Sequence, residues 1–343
     1  MAESDSRAPL LSVTVLNYNY GHYLPTCLDS ILSQTFRDFE VVVINDKSTD
    51  NSLEVLMPYL ADPRVRLVDH QTNKGFVASL IEGASLSRGR YITVISADDW
   101  VLDSTAFAKQ IEVLERDPEI AFAYTAYGHY ETPERQGHVW RAAKGNFVRD
   151  GREALQDIVV NPYVLHSGTV IRKSTYEAIG GYDASLKYAV DVKMWFALCH
   201  AGKAAYIDEV LYGYRRHPTS MSKSVQSIQR SIEEVLKAID WSLASSTVEE
   251  QKGALGAVHT RAAKKALIAF AADEIFRNCY REGWRGFWIA LKIRPMQTLF
   301  QRDTSILILR TLLGGGGFDT LQRVTAKLRL SKGVPVTTGA VDR

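Results

Sequence analysis

The chain has 343 residues, 46% of them hydrophobic and 23% charged, a balance that excludes wholesale disorder and suits one large domain or a domain with an appendage. Its formal net charge of +2 gives no global attraction for nucleic acid, so no nucleic-acid partner is expected. Three scattered cysteines, Cys27, Cys199 and Cys279, form no CxxC pair, which argues against a disulfide framework and fits a reducing compartment.

Residues 10–17 (LLSVTVLN) form a continuous aliphatic and β-branched run, the pattern of a strand buried on both faces. Leu24, Leu28, Ile31 and Leu32 then mark one face of a helix. Residues 40–46 (EVVVIND) read as a second buried strand. STDNS follows with helix N-cap residues, and Leu53, Leu56, Met57 and Leu60 are expected to form the next apolar helix face. A third strand is expected at 64–70, a helix of small residues at 75–87 and a fourth strand at 90–99. Strand alternating with helix at this spacing predicts right-handed βαβ units and a parallel sheet.

Beyond Asp99 the pattern loosens. Residues 103–116 read as a helix and 120–130 as a strand, while 131–150 are polar and irregular. A short helix is expected at 154–160, a strand at 164–171, a GGYD turn, a helix through Trp195, and a strand-like segment at 210–217 (VLYGYRRH). From about Val225 strands disappear. Ile228, Ile232, Val235, Leu236 and Ile239 fit one helix face, and Leu255, Val258, Ala262, Leu267 and Phe270 another. Residues 1–9 and 333–343 read as disordered ends.

Open parallel sheets bind ligands beyond the carboxyl ends of their strands. Here those ends carry Asn17, Tyr18 and Asn19; Asn45 and Asp46; Asp69 and His70, with Asn73, Lys74 and Gly75 opening the next helix; and Ser96, Asp98 and Asp99. Adjacent carboxylates such as Asp98 and Asp99 repel unless a cation or solvent compensates, and Mg²⁺ or Mn²⁺ commonly takes one or two carboxylates plus substrate phosphates. The alternative is helix capping, for which Asp103 or Ser104 is better placed.

Four ordered segments carry a family resemblance: VTVLNYNYGHYLPTCLDSILSQT, VVVINDKSTDNS, NKGFVASLIEGASLSRGRYITVISADDW, and GGYDASLKYAVDVKMWFAL followed by YRRHPTSMS. Over roughly residues 10–222 the chain resembles the family-2 inverting glycosyltransferases of the GT-A fold. The resemblance implies an α/β protein: a Rossmann-like mixed sheet flanked by helices, with an α-helical C-terminal appendage. It divides the chain into a catalytic domain at 10–222, with a nucleotide-binding half (10–100) and an acceptor half (101–222), and a helical region at 223–332. It also implies transfer of a sugar, with inversion, from a nucleotide-diphosphate donor, UDP-linked by preference, to a hydroxyl of a glycan or lipid-linked acceptor.

Roles follow from the same resemblance. Tyr18 and Asn19 would line the nucleoside pocket, and Asn45 and Asp46 would read the base, with either one the reader. Asn73, Lys74 and Gly75 would lie beside ribose and phosphates. Ser96, Asp98 and Asp99 match the DxD-like motif, with Ser96 in place of its leading Asp, and Asp98, Asp99 and His217 would hold Mn²⁺ or Mg²⁺. Asp191 matches the general base, although Val190 stands where the family often has Glu; as a plain helix N-cap it would also be at home. Arg215 and Arg216 are candidates for the diphosphate, one of them facing solvent. His166, Ser167 and Trp195 are candidates for the acceptor pocket, Trp195 equally for the core.

A Rossmann dehydrogenase would need GxGxxG where NYNYGHYL stands, and Gly314–Gly317 lacks the Lys-Ser/Thr of a P-loop and reads as a hinge. A non-catalytic relative that binds sugar nucleotides is the rival reading, kept open by Ser96 and Val190. The first twelve residues do not read as a signal peptide, and the apolar run near 306–313 is too short to span a bilayer. Residues 277–332 are basic, with Trp284, Phe287 and Trp288 interleaved, the composition of a helix lying on a membrane surface or packed on the catalytic domain. The expected location is cytoplasmic, with a peripheral place on the membrane's cytoplasmic face as the extension of that reading.

Overall fold

The computed structural model describes residues 7–160, 164–217 and 225–245. The chain divides into two units, Met1–Val258 and His259–Arg343, and every described residue belongs to the first. The expectations for 277–332, for the glycine hinge and for the 333–343 tail lie outside the described residues.

Strands β1 (Leu11–Asn17), β2 (Phe39–Asn45), β3 (Val65–Asp69) and β4 (Tyr91–Ser96) form the parallel half of one sheet, in the order β3-β2-β1-β4. β1 and β2 are buried along their full length, which is why their sequences do not alternate. Helices α1 (Leu24–Leu32), α2 (Ser52–Leu56) and α3 (Phe76–Leu86) connect them. Gly83 of α3 is the point of closest approach to β1: a Cβ there would collide with Thr14 Cγ2. The apolar face expected after STDNS forms only in part, with Leu56 and Leu60 packed on the core. α2 has five residues and gives way to a 3₁₀ segment at Met57–Ala61 containing Pro58, whose missing N–H and ring oppose a continued α-helix. Leu56 is buried, but Leu53 and Met57 are exposed.

β5 (Trp100–Val101) and α4 (Ala106–Arg116) lead into β6 (Ile120–Thr132). β6 then turns back as β7 (Arg135–Trp140), and β8 (Phe147–Arg149) follows. These two short strands occupy the stretch expected to be irregular; they are held by ladders to longer strands, and their exposed side chains carry no apolar pattern. Next come α5 (Gly151–Val160), a 3₁₀ turn His166–Gly168, β9 (Thr169–Arg172), α6 (Lys173–Ala178), α7 (Val190–Ala201), β10 (Lys203–Arg215) and α8 (Val225–Ala244). The strand expected from residue 164 begins only at Thr169, because the chain first makes the 3₁₀ turn.

The full order is β3-β2-β1-β4-β9-β6-β10-β5, with β7 on β6 and β8 on β10. β9 runs antiparallel to both β4 and β6, and β10 is parallel to β6. Two reversals restore direction, so β1, β2, β3, β4, β6 and β10 all point their carboxyl ends to one edge. The opposite edge is closed by a buried carboxylate. Glu40 accepts hydrogen bonds from Ser12 Oγ (2.7 Å), Arg88 N (2.8 Å) and Arg88 Nε (2.9 Å), with Arg66 Nη2 at 3.2 Å. Burial opposes its charge, but these donors win and hold the Glu40 carboxyl below its ordinary range.

Candidate active site

At the ends of β1, β2 and β3 a polar ladder crosses the sheet in register. Asn17 Nδ2 donates to Asn45 Oδ1 (2.8 Å) and Asn45 Nδ2 to Asp69 Oδ1 (2.7 Å). Ser48 Oγ also donates to Asn45 Oδ1 (2.6 Å), so both ends of the Asn45 amide are engaged within the protein. Asn19, in the left-handed region at φ 58°, accepts from Thr49 N (2.7 Å) while its own N–H donates to Ser48 Oγ (2.9 Å). Tyr18 is exposed beside it.

Asp46 organises the loop after β3. Its carboxylate faces His70 Nδ1 (2.8 Å) and accepts from Lys74 N (2.7 Å) and Gly75 N (2.8 Å); its carbonyl accepts from Asn73 Nδ2 (3.1 Å). Burial works against the charge, yet His70 and the two amides hold the Asp46 carboxyl below its usual range. His70 Nε2 continues to Glu82 Oε2 (3.1 Å), which Lys74 Nζ also reaches (2.7 Å). Asn73, Lys74 and Gly75 are thus gathered around Asp46, with Gly75 at φ 85° where a side chain would be strained.

The second cluster stands at the end of β4. Asp99 N donates to Ser96 O (2.9 Å), closing a tight turn that presents Asp98 and Asp99. Neither caps α4: its N-cap is Thr105, held by Asp103 through Thr105 N (2.7 Å) and Thr105 Oγ1 (2.6 Å), and Gln34 Oε1 accepts from Phe107 N in the first turn (3.2 Å). Asp98 Oδ2 lies 2.9 Å from His217 Nε2. Both oxygens of Asp99 are occupied, Oδ2 by Ser167 Oγ (2.6 Å) and Oδ1 by Arg215 N (3.0 Å). Burial and the neighbouring Asp98 push the Asp99 carboxyl well above its ordinary range. Two oxygens and an imidazole suit Mn²⁺ or Mg²⁺ with phosphate completing the shell, so the residues fit such an ion, with Asp98 and His217 the better placed. Among the described residues no group of three or more His, Cys, Asp or Glu is preassembled around a metal position. Asp99 is turned towards Ser167 and the β10 backbone.

The two arginines separate. Arg216 is exposed. Arg215 is buried, its Nε donating to Asp98 O (2.8 Å) and its guanidinium packed 4.3 Å from the Tyr23 ring centroid and 4.6 Å from that of Trp100. It braces the carboxylate turn and is not presented to solvent. Trp100 in turn sits over Gly213, where a Cβ would lie 2.6 Å from the indole.

Asp191 is in the first turn of α7, two positions past the N-cap Ala189, so the plain N-cap alternative does not hold. Its Oδ1 accepts from Val192 N (2.8 Å). Burial raises the Asp191 carboxyl to about 6. Tyr182 lies close enough to feel that charge, and its hydroxyl meets His166 Nε2 at 2.7 Å. Burial pushes His166 down to about 4, which keeps it neutral at pH 7. Trp195 belongs to the core: it is fully buried, stacked on Phe122 and edge-on to His166. It does not border an open pocket. One 3₁₀ turn therefore serves both acidic sites, Ser167 on Asp99 and His166 through Tyr182 towards Asp191. Tyr182 was not among the sequence candidates, although GGYD marks its turn.

The family described as Glycosyl transferase family 2 matches residues 12–180. The glycosyltransferase GlyG of Streptococcus pneumoniae is 28% identical over 227 residues, 63% of this chain and 73% of that protein. Two other relatives are much longer, and the matches span 34% and 22% of them. S. aureus TarS (residues 1–349), solved in complex with UDP-GlcNAc, superposes with a TM-score of 0.68 at 15% identity, covering 92% of this chain and 91% of that one. The mannosyltransferase PcManGT of Pyrobaculum calidifontis, solved with GDP-Man and Mn²⁺, gives 0.57 at 17% identity over 91% and 89%. Fold, ordered strand-end motifs and family match converge: residues 12–180 form a glycosyl transferase family 2 region, and the protein is a glycosyltransferase of the GT-A fold.

Proposed function

We propose that this glycosyltransferase moves a sugar from a UDP-sugar to a hydroxyl of a glycan or lipid-linked acceptor, with inversion and with metal assistance, in cell-envelope polysaccharide assembly. The observation that carries the reading is the single turn His166–Gly168, which ties the Asp98–Asp99 site to the surroundings of Asp191. That arrangement suits an in-line displacement with the leaving diphosphate at one carboxylate site and the acceptor at the other. Asp191 takes the acceptor hydroxyl proton; with its carboxyl at about 6 it is mostly ionised at pH 7 yet more basic than an ordinary Asp. Asp98 and His217 would hold the ion, which when bound neutralises charge on the diphosphate. Asp99 orients the turn through Ser167 and Arg215 N. Asn45 and Asp46 lie beside the base, either one its reader; Tyr18 and Asn19 flank the nucleoside, and Lys74 lies towards the phosphates. The UDP-GlcNAc complex of TarS supports UDP as the nucleotide, and the Mn²⁺ complex of PcManGT supports the ion.

Turnover of UDP-, dTDP- and GDP-sugars with Mn²⁺ tests this. Wild type should transfer or slowly hydrolyse a UDP-sugar, and Asp191→Asn should lose at least about a hundredfold in kcat, within the usual range for a lost general base. No turnover by wild type with any of the three sinks the reading. We also propose that residues 277–332 attach the enzyme to an anionic membrane surface, from their basic and aromatic composition. Among the described residues no helix is long and apolar enough to cross a membrane. Deleting residues 277–343 should abolish flotation with anionic vesicles; unchanged flotation refutes the attachment.

A further inference from the structure

We propose that Glu234 of α8 is a positioning residue for Asp191, an inference that rests on Asp191 being the base. A single oxygen of its carboxylate, Oε2, accepts three hydrogen bonds from consecutive backbone amides: Lys187 N (2.9 Å), Tyr188 N (2.6 Å) and Ala189 N (2.9 Å). Successive amides converging on one point make a concavity that binds an anion. Here the anion comes from a helix 45 residues further along the chain.

The arrangement answers a local need. Ala189 is the N-cap of α7 and has no side chain able to cap the helix. The amides entering the helix would otherwise lack partners beside a largely buried site. Glu234 supplies the missing acceptor and the negative charge favoured at a helix N-terminus. It thereby fixes the backbone two residues ahead of Asp191, whose carboxylate is folded onto Val192 N.

The clamp is anchored at a second point. Further along the helices, Ser242 Oγ meets His200 Nε2 at 2.9 Å, and the Trp241 ring lies 5.0 Å from Lys193 Nζ. Buried Ala238, Ile239 and Ser242 form the rest of the packed face of α8. α8 is therefore pinned along α7, and Glu234 cannot leave the loop without the whole helix moving. The family match ends at residue 180, so this control of the base comes from beyond it.

The test compares Glu234→Ala, Glu234→Gln and Asp191→Asn on the UDP-, dTDP- or GDP-sugar that wild type turns over with Mn²⁺. Glu234→Ala should lower kcat roughly ten- to a hundredfold, the scale of a reacting group displaced by about 1 Å, with donor KM within about twofold of wild type. Glu234→Gln keeps an oxygen acceptor and should stay within about threefold of wild-type kcat, on the same scale. Hydrogen exchange at the amides of 187–189 should speed up in Glu234→Ala alone. If Glu234→Ala does not fold, Glu234→Asp, one methylene too short to reach the amides, replaces it. Wild-type kcat in the Ala or Asp variant, or equal losses in Ala and Gln, overturns the proposal. If Asp191→Asn keeps wild-type kcat, it is the reading of Asp191 as base that falls.

Discussion

Asp191 and Asp46 show how one residue type is tuned in opposite directions within one protein. Asp46 receives His70 and two amides, which outweigh its burial. Asp191 receives only the nearby Val192 amide and its own, so burial prevails and lifts it to about 6. Activity that needs the ionised base should therefore rise with pH through about 6, visible as the acid limb of kcat/KM, the parameter that reports the free enzyme. An acid limb with its midpoint near 4, where an ordinary Asp titrates, would refute Asp191 as the titrating group. The sequence made Asp191 conspicuous but not its basicity, because burial is set by Tyr182, Trp195 and the helix packing around it. Glu234 was illegible for a further reason: its partners are backbone amides, which any sequence supplies.

At the scale of elements, legibility followed burial. β1, β2 and β4 were readable because they are covered on both faces and so are nearly pure aliphatic runs. β7 (RQGHVW) was not, since its place is fixed by the ladder to β6 while most of its side chains face solvent. The 3₁₀ turn at His166–Gly168 looked like the start of a strand because Val164 and Leu165 continue the apolar run. Even so, that turn connects the two acidic sites. Element packing also makes a prediction away from the chemistry. Gly83 lets α3 lie directly on Thr14 of β1, so Gly83→Val should lower stability by about 1–3 kcal/mol through overpacking. Denaturant midpoints measure this; an unchanged midpoint would mean that α3 can move off the sheet without cost.

For the molecule as a whole, the reversed strand β9 separates two groups of parallel strands. It splits the parallel strands β1–β4, which end in the residues proposed for the nucleotide, from β6 and β10, whose carboxyl ends meet the same edge. The Asp98–Asp99 turn leads straight into β5, which pairs antiparallel with the end of β10, and so Arg215 and, just beyond the strand, His217 come to face Asp98 and Asp99. Neither half is complete without the other. The order of motifs along residues 10–222 made the sheet and its working edge readable, whereas the cross-bracing became visible only when strands far apart in sequence were placed side by side.

The buried Glu40 at the far edge keeps its contribution to stability in mild acid. Its folded carboxyl lies below its unfolded value, so the stability it contributes is fully present above the ordinary carboxylate value and is lost as pH falls below that value through the lowered folded one. Asp191 has the reverse sign: its folded carboxyl lies above its unfolded value, so protonation near 6 would silence the proposed base while slightly favouring the folded chain. Between those two thresholds the protein should be switched off but intact, and returning it to neutral pH should restore its full rate without refolding.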